Sequence, residues 1–99
     1  MTYITEKIRQ RRSQMLIHSC IYYHLNDSIV TDNKWQEWAN ELRDLQELFS
    51  ESIGFYDREF KDWDGSTGYH LPIRHPEIMG MANRVLNYHY RLSAKNLTY

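Results

Sequence analysis

Two short stretches of this sequence concentrate side chains suited to recognition chemistry. Tyr22-Tyr23-His24 is followed, after a turn, by Thr31-Asp32, Trp35 and Gln36. The Tyr and Trp rings offer flat faces for stacking. Asp32 offers a carboxylate to hydroxyl or amide donors, and His24 adds a ring nitrogen. If Thr31 and Asp32 open a helix, its free backbone N–H groups and positive dipole end add a place for an anion. Such a set suits a nucleotide, with its flat base, ribose hydroxyls and phosphate. A plainer reading makes Tyr22, Trp35 and Trp38 core residues and Asp32 only a helix cap. Spacing alone leaves both open.

A second stretch, Asp64-Gly65-Ser66-Thr67-Gly68-Tyr69-His70-Leu71-Pro72, brackets two hydroxyls with two glycines. Such a loop can turn N–H groups and hydroxyls toward a phosphate. Its glycines are closer than in standard phosphate loops and no lysine directly follows the second, so a plain turn serves equally. Arg11 and Arg12 belong to the basic run Lys7-Ile8-Arg9-Gln10-Arg11-Arg12, which is either a solvated helix face or a source of attraction for an anionic ligand. No metal site is expected. His18, Cys20 and His24 fall within two helical turns, but positions 18 and 20 point apart. His70 and His75 have no matching acid pair. No nucleophile-plus-base arrangement stands out, so no catalytic residue is assigned.

Three helices must position these groups. The first is expected from about Thr5, as N-cap, to His24, with Ile4, Ile8, Met15, Ser19 and Tyr22 on one face and a polar break from Arg9 to Gln14. Asn26-Asp27-Ser28 ends it with turn-forming residues. The second carries Trp35, Trp38, Ala39, Leu42, Leu45, Leu48 and Phe49 on one face, starts at capping oxygens from Thr31 and Asp32, and closes over Ser50 to Gly54, with Gly54 left-handed. The short link from Asp27 to Thr31 makes these two an antiparallel hairpin. The third opens at Pro76 and aligns Ile78, Ala82, Val85, His89 and Leu92. Between them, Phe55 to His75 shows no period but is rich in rings, which argues against disorder. The expected fold is mostly α: one domain over residues 1–99, a helical hairpin plus a third helix, with an irregular aromatic, glycine-containing loop between.

Composition sets limits. A net charge of −1 lacks the footprint of a general nucleic-acid binder. Cys20 is the sole cysteine, so no intrachain disulfide forms, and a small core residue is its expected role. The start is not a signal peptide and no stretch is long enough to span a membrane, so a cytoplasmic location is expected. The aromatic content of 14% suits a core, a pocket or an interface between copies.

The hairpin also resembles a known family. Tyr23-His24, a short turn, Thr31-Asp32-Asn33-Lys34-Trp35-Gln36 and then Glu41-Leu42-Arg43-Asp44-Leu45-Gln46 are similar to the N-terminal helical domain of bacterial NAD-dependent DNA ligases. That domain captures the nicotinamide mononucleotide half of NAD. The resemblance covers about residues 12–46 and implies that Tyr23, His24, Asp32 and Trp35 contact such a nucleotide. Trp35 stands where the family usually has Tyr, and Gln36 where it usually has an acid. The turn lacks the family's usual proline and is one residue shorter. The ligase nucleophile sits in Lys-x-Asp-Gly; here Lys61-Asp62-Trp63-Asp64-Gly65 is one residue longer, and the stretch from Ser66 to Tyr99 is too short for a nucleotidyltransferase domain. The glycine loop looks similar to small standalone phage proteins related to the ligase domain.

The expected ligand site is therefore Tyr23, His24, Asp32, Trp35, Gln36, Ser66 and Thr67, with Arg11 or Arg12 adding charge. The expected function is non-catalytic binding of an NAD, nicotinamide mononucleotide or ADP-ribose type nucleotide, with no cofactor required. The phage resemblance implies an anti-defence role, sequestering an NAD-derived signal. The alternatives are a protein-binding adaptor and a DNA-associated accessory protein using Arg9, Arg11 and Arg12.

Overall fold

The computed structural model describes residues 2–97. Three helices run in the order α1 (Thr2–Tyr23), α2 (Asp32–Leu48) and α3 (Pro76–Leu97). The protein is mostly α, with no strand among the described residues. α1 is the shared partner of both other helices. This explains why its buried residues do not form a single stripe. Ile8, Met15, Leu16, Ser19, Cys20 and Ile21 are all buried, covering more than one face of the helix.

The polar middle of α1 is solvated only in part, with Arg9 and Gln10 exposed. Arg11 and Arg12 are buried. Arg12 donates from Nη1 to Asp57 Oδ1 at 2.9 Å and to the Phe55 carbonyl at 2.6 Å, and from Nε to Gln46 Oε1 at 2.8 Å. Its guanidinium also lies over the Phe60 ring. Arg11 pairs with Glu41 at 3.3 Å and donates to Gln14 at 2.7 Å. Buried charges persist where they are paired and hydrogen-bonded, and here α2 and the irregular segment supply the partners.

Boundaries follow local chemistry. α1 begins three residues earlier than expected, so Thr5 lies within its first turns rather than at the cap. It ends through Asn26, in the left-handed region at φ 55°, with the Asp27 N–H reaching the Ile21 carbonyl at 3.0 Å. Thr31 caps α2: its hydroxyl accepts from the Lys34 N–H at 3.0 Å. Asp32, one of the two expected capping residues, is instead the first residue of the helix. α2 stops at Phe49, so Gly54 does not close it. Gly54 is left-handed, at φ 73°, in a separate turn whose N–H groups bond Asp57. Leu48, expected on the apolar face, is 79% exposed, whereas Leu45, one turn earlier, still packs on the core.

The segment from Phe55 to His75 is irregular yet packed. Phe60, Trp63, Leu71 and Ile73 are buried against the helices, and the Trp63 indole donates to the Ala39 carbonyl at 3.0 Å. Tyr22, expected on the apolar face of α1, is exposed, as is Leu92 of α3. The hydroxyl of Tyr90 on α3 donates to Asp27, tying α3 to the α1–α2 connection.

Candidate functional site

The end of α1, the start of α2 and the glycine loop converge, as the hairpin spacing requires. Two contacts fix the loop. The Gln36 side-chain amide donates to the Gly65 carbonyl at 2.9 Å and to Asn40 at 3.0 Å. The Tyr23 and Thr67 hydroxyls share a hydrogen bond at 3.2 Å. Gly65 sits at φ 83°, and a Cβ there would lie 3.3 Å from the Ala39 carbonyl oxygen, so any other residue at this position would be strained. Asp64 accepts from the Ser66 N–H and hydroxyl at 2.9 and 2.6 Å, and these bonds hold its carboxyl below the usual range.

A cavity of about 280 Å³ opens between these elements. Tyr23, Asp32, Trp35, Gln36, Ser66 and Thr67 all line it. His24, though adjacent in sequence, does not. Arg11 and Arg12 lie elsewhere, each held in the ion pairs described above. Neither guanidinium is free to meet a phosphate, and Arg9 is stacked over the Phe55 ring at 4.7 Å.

The electrostatics of the cavity are unlike those of a phosphate pocket. Among the described residues, no Lys or Arg lines it, and the carboxylate of Asp32 is its one fixed charge. Because Thr31 does the capping, that carboxylate is exposed in the first turn of α2 and has no hydrogen-bond or ion-pair partner among the described residues. Trp35 contributes a half-buried ring whose centroid is 6.2 Å from that of Trp63. Tyr22, Tyr23 and Tyr69 form a chain of edge-to-face contacts, with centroids 4.9 and 5.2 Å apart, beside the opening.

Among the lining residues not anticipated as ligand groups, Ser19 and His18 each carry a buried polar atom without a partner. Ser19 is 1% exposed, and its hydroxyl has no hydrogen-bond partner; Nδ1 of His18 is likewise buried without one. The His18 ring lies against Trp38 at 5.3 Å between centroids, and burial lowers its pKa, favouring the neutral imidazole. The signal for Ser19 was present in the sequence as a polar residue on an otherwise apolar stripe. What the sequence could not show is that no neighbour satisfies it. Among the described residues, no group of three or more His, Cys, Asp or Glu is placed to hold a metal ion.

Compared with models of known protein families, with curated proteins and with solved structures, the chain matches none.

Proposed function

We propose that this chain is a non-catalytic binding module for a nucleotide-type ligand that carries a flat ring, of the NAD, nicotinamide mononucleotide or ADP-ribose class. The observation that carries the reading is the cavity at the start of α2, lined by Trp35, Tyr22, Tyr23 and an Asp32 without a partner among the described residues. The resemblance of Tyr23-His24 through Gln36 to the ligase domain supports the same ligand class. Small-molecule sites usually enclose ~300–1,000 Å³. At about 280 Å³, this cavity suits one nucleoside half of a dinucleotide. With no cation among its described lining residues, the ring and ribose go inside and any phosphate stays toward solvent. A neutral or cationic ring fits best, since Asp32 and the aromatic faces both favour positive charge.

The test is a titration with NAD, nicotinamide mononucleotide and ADP-ribose, with ribose 5-phosphate as the ringless control. Binding should require the ring and weaken in Trp35→Ala. Incubation with NAD and ATP should leave protein and nucleotide unchanged; adenylated protein or cleaved nucleotide would refute the non-catalytic role.

A capture module has a use of its own if capture is the task. On the phage-type resemblance, that task is sequestering an NAD-derived defence signal. Mixing the protein with such a signal and then denaturing it by heat should release the signal intact; degraded signal would contradict sequestration. The exposed Tyr22–Tyr23–Tyr69 cluster favours one other reading, a protein-binding adaptor. An adaptor would show no small-molecule affinity in the same titration.

A further inference from the structure

The polar side chains around the cavity are largely spent on the protein itself. The Tyr23 and Thr67 hydroxyls bond each other. The Gln36 amide donates to Gly65 and Asn40, the Ser66 hydroxyl donates to Asp64, and the Ser28 hydroxyl donates to the Val30 carbonyl. Asp32 is the exception: its carboxylate lines the cavity and has no partner among the described residues. The chain has 12 Lys and Arg residues, yet none of those described lines this cavity. Lys34, two residues beyond Asp32, pairs with Glu37 at 3.6 Å and lies over the Trp38 ring. Burial favours the neutral form of His18, the one histidine in the lining. The wall therefore carries one negative charge, set among the rings of Tyr22, Tyr23 and Trp35 and aliphatic side chains.

We infer that this cavity binds a small free organic cation of the quaternary ammonium class, held by the faces of Trp35 and the two tyrosines and by the charge of Asp32. The inference rests on the reading of this cavity as a ligand site and goes beyond the nucleotide class: positive charge, on a ring or not, is the property selected. Aromatic faces are negative and attract diffuse cations, and quaternary ammonium ions are their characteristic ligands. Such an ion donates no hydrogen bond, so it loses nothing where the polar groups are already committed. A neutral polar ligand would find few free partners. The N-terminus of α2 opposes a cation with about half a charge, whereas Asp32 supplies a whole one. At about 280 Å³ the cavity falls just below the ~300–1,000 Å³ of drug-sized sites, which suits a small ion. A lipid head group carries the same ammonium beside a phosphate, and that phosphate would meet Asp32 and no cation, so a free ion fits better.

The experiment titrates the whole chain by NMR with choline and with its uncharged isostere, in which a tert-butyl group replaces the trimethylammonium group. The two have the same shape and differ in charge alone. One cation–π contact gives a factor of roughly 2 to 30, and an exposed carboxylate adds roughly 2- to 5-fold. Choline is therefore expected to bind at least ~10-fold more tightly than the isostere. Asp32→Asn should weaken choline by about 2- to 5-fold and leave the isostere unchanged. Trp35→Leu, which keeps an apolar side chain but removes the ring, should weaken choline more than the isostere. If either variant fails to fold, the comparison on the parent chain decides alone. Equal affinity for the two probes, no binding of either, or a folded Asp32→Asn that binds choline like the parent would overturn the inference. Tighter binding of phosphatidylcholine vesicles than of free choline would overturn it too, by moving the site to a lipid surface. The nucleotide titration is separate: a chain that binds nucleotides but treats choline and its isostere alike refutes the cation site and keeps the nucleotide reading. Selection of choline with no affinity for any nucleotide does the reverse.

Discussion

Asp57→Ala should unfold this protein at a much lower temperature although Asp57 is far from the cavity in the chain and does not line it. The Asp57 carboxylate accepts from Arg12 at 2.9 Å, Ser52 at 2.7 Å, the Ile53 N–H at 3.1 Å and the Gly54 N–H at 2.9 Å. The pair is asymmetric: the Arg12 side chain is 7% exposed and that of Asp57 34%. Removing one partner of a fully buried pair costs ~3–5 kcal/mol. Solvent screens the Asp57 side, and Arg12 keeps its bonds to Gln46 and the Phe55 carbonyl, so the expected loss is about 2–3 kcal/mol. At roughly 4–8 °C per kcal/mol for a domain this size, Tm should fall by about 10–20 °C. The pH dependence has a definite sign. Hydrogen bonds from Ser52 and then Arg12 hold the Asp57 pKa well below its ordinary value. Its contribution is therefore complete above the unfolded-state pKa of about 3.9 and is lost as pH falls from there through the folded value. Asp57→Asn should flatten that acid limb. Urea unfolding followed by circular dichroism, at neutral and at low pH, measures both effects. A loss below ~0.5 kcal/mol at neutral pH, or an unchanged acid limb, would refute the structural assignment of Arg12 and reopen it as a ligand contact.

Other perturbations address the site. Trp35→Ala should weaken ring binding by ~1–3 kcal/mol, roughly 5- to 150-fold in Kd by isothermal calorimetry. Asp32→Asn should cost no more than the ~0.3–1 kcal/mol of a first-turn carboxylate's interaction with the helix dipole, because Thr31 caps α2, while weakening a cationic ring more than a neutral one; equal weakening of both would remove the charge argument. Gly68→Ala should destabilise the fold by ~1–3 kcal/mol, since its methyl would collide with Ser19, and the cost should shrink when Ser19→Ala is added. Additive losses in that double variant would mean the loop does not press on Ser19.

The second and third helices were legible because their signals are local. Thr31 carries its own capping oxygen, Pro76 fits a first helical position, and the apolar spacing within each helix needs no knowledge of neighbours. α1 was harder. Periodicity treats Arg11 and Arg12 as polar and places them in water, whereas Glu41, Gln46, Asp57 and the Phe55 carbonyl draw them inside from residues far along the chain. The same limit shaped the site. Tyr23, Asp32, Trp35 and Gln36 were readable because a hairpin forces helix ends together, and Ser66 and Thr67 because glycines flank them. Ser19 and His18 were not, since a hydroxyl in an apolar stripe becomes informative only once its neighbours are known to leave it unbonded. His24 does not line the cavity: α1 ends at Tyr23, and the chain turns at the next residue.

The most direct measurement is the unfolding midpoint of the whole chain with and without NAD, nicotinamide mononucleotide and ADP-ribose, repeated on Trp35→Ala. A ligand at 100 times its dissociation constant adds ~2.7 kcal/mol, or about 10–20 °C here. At least one of these nucleotides should produce a shift of that order, and Trp35→Ala should lose about a third to nine-tenths of it at the same concentration, for a 5- to 150-fold weaker Kd. No shift with any of them, or a shift that survives Trp35→Ala undiminished, would contradict a ring-binding cavity at the start of α2.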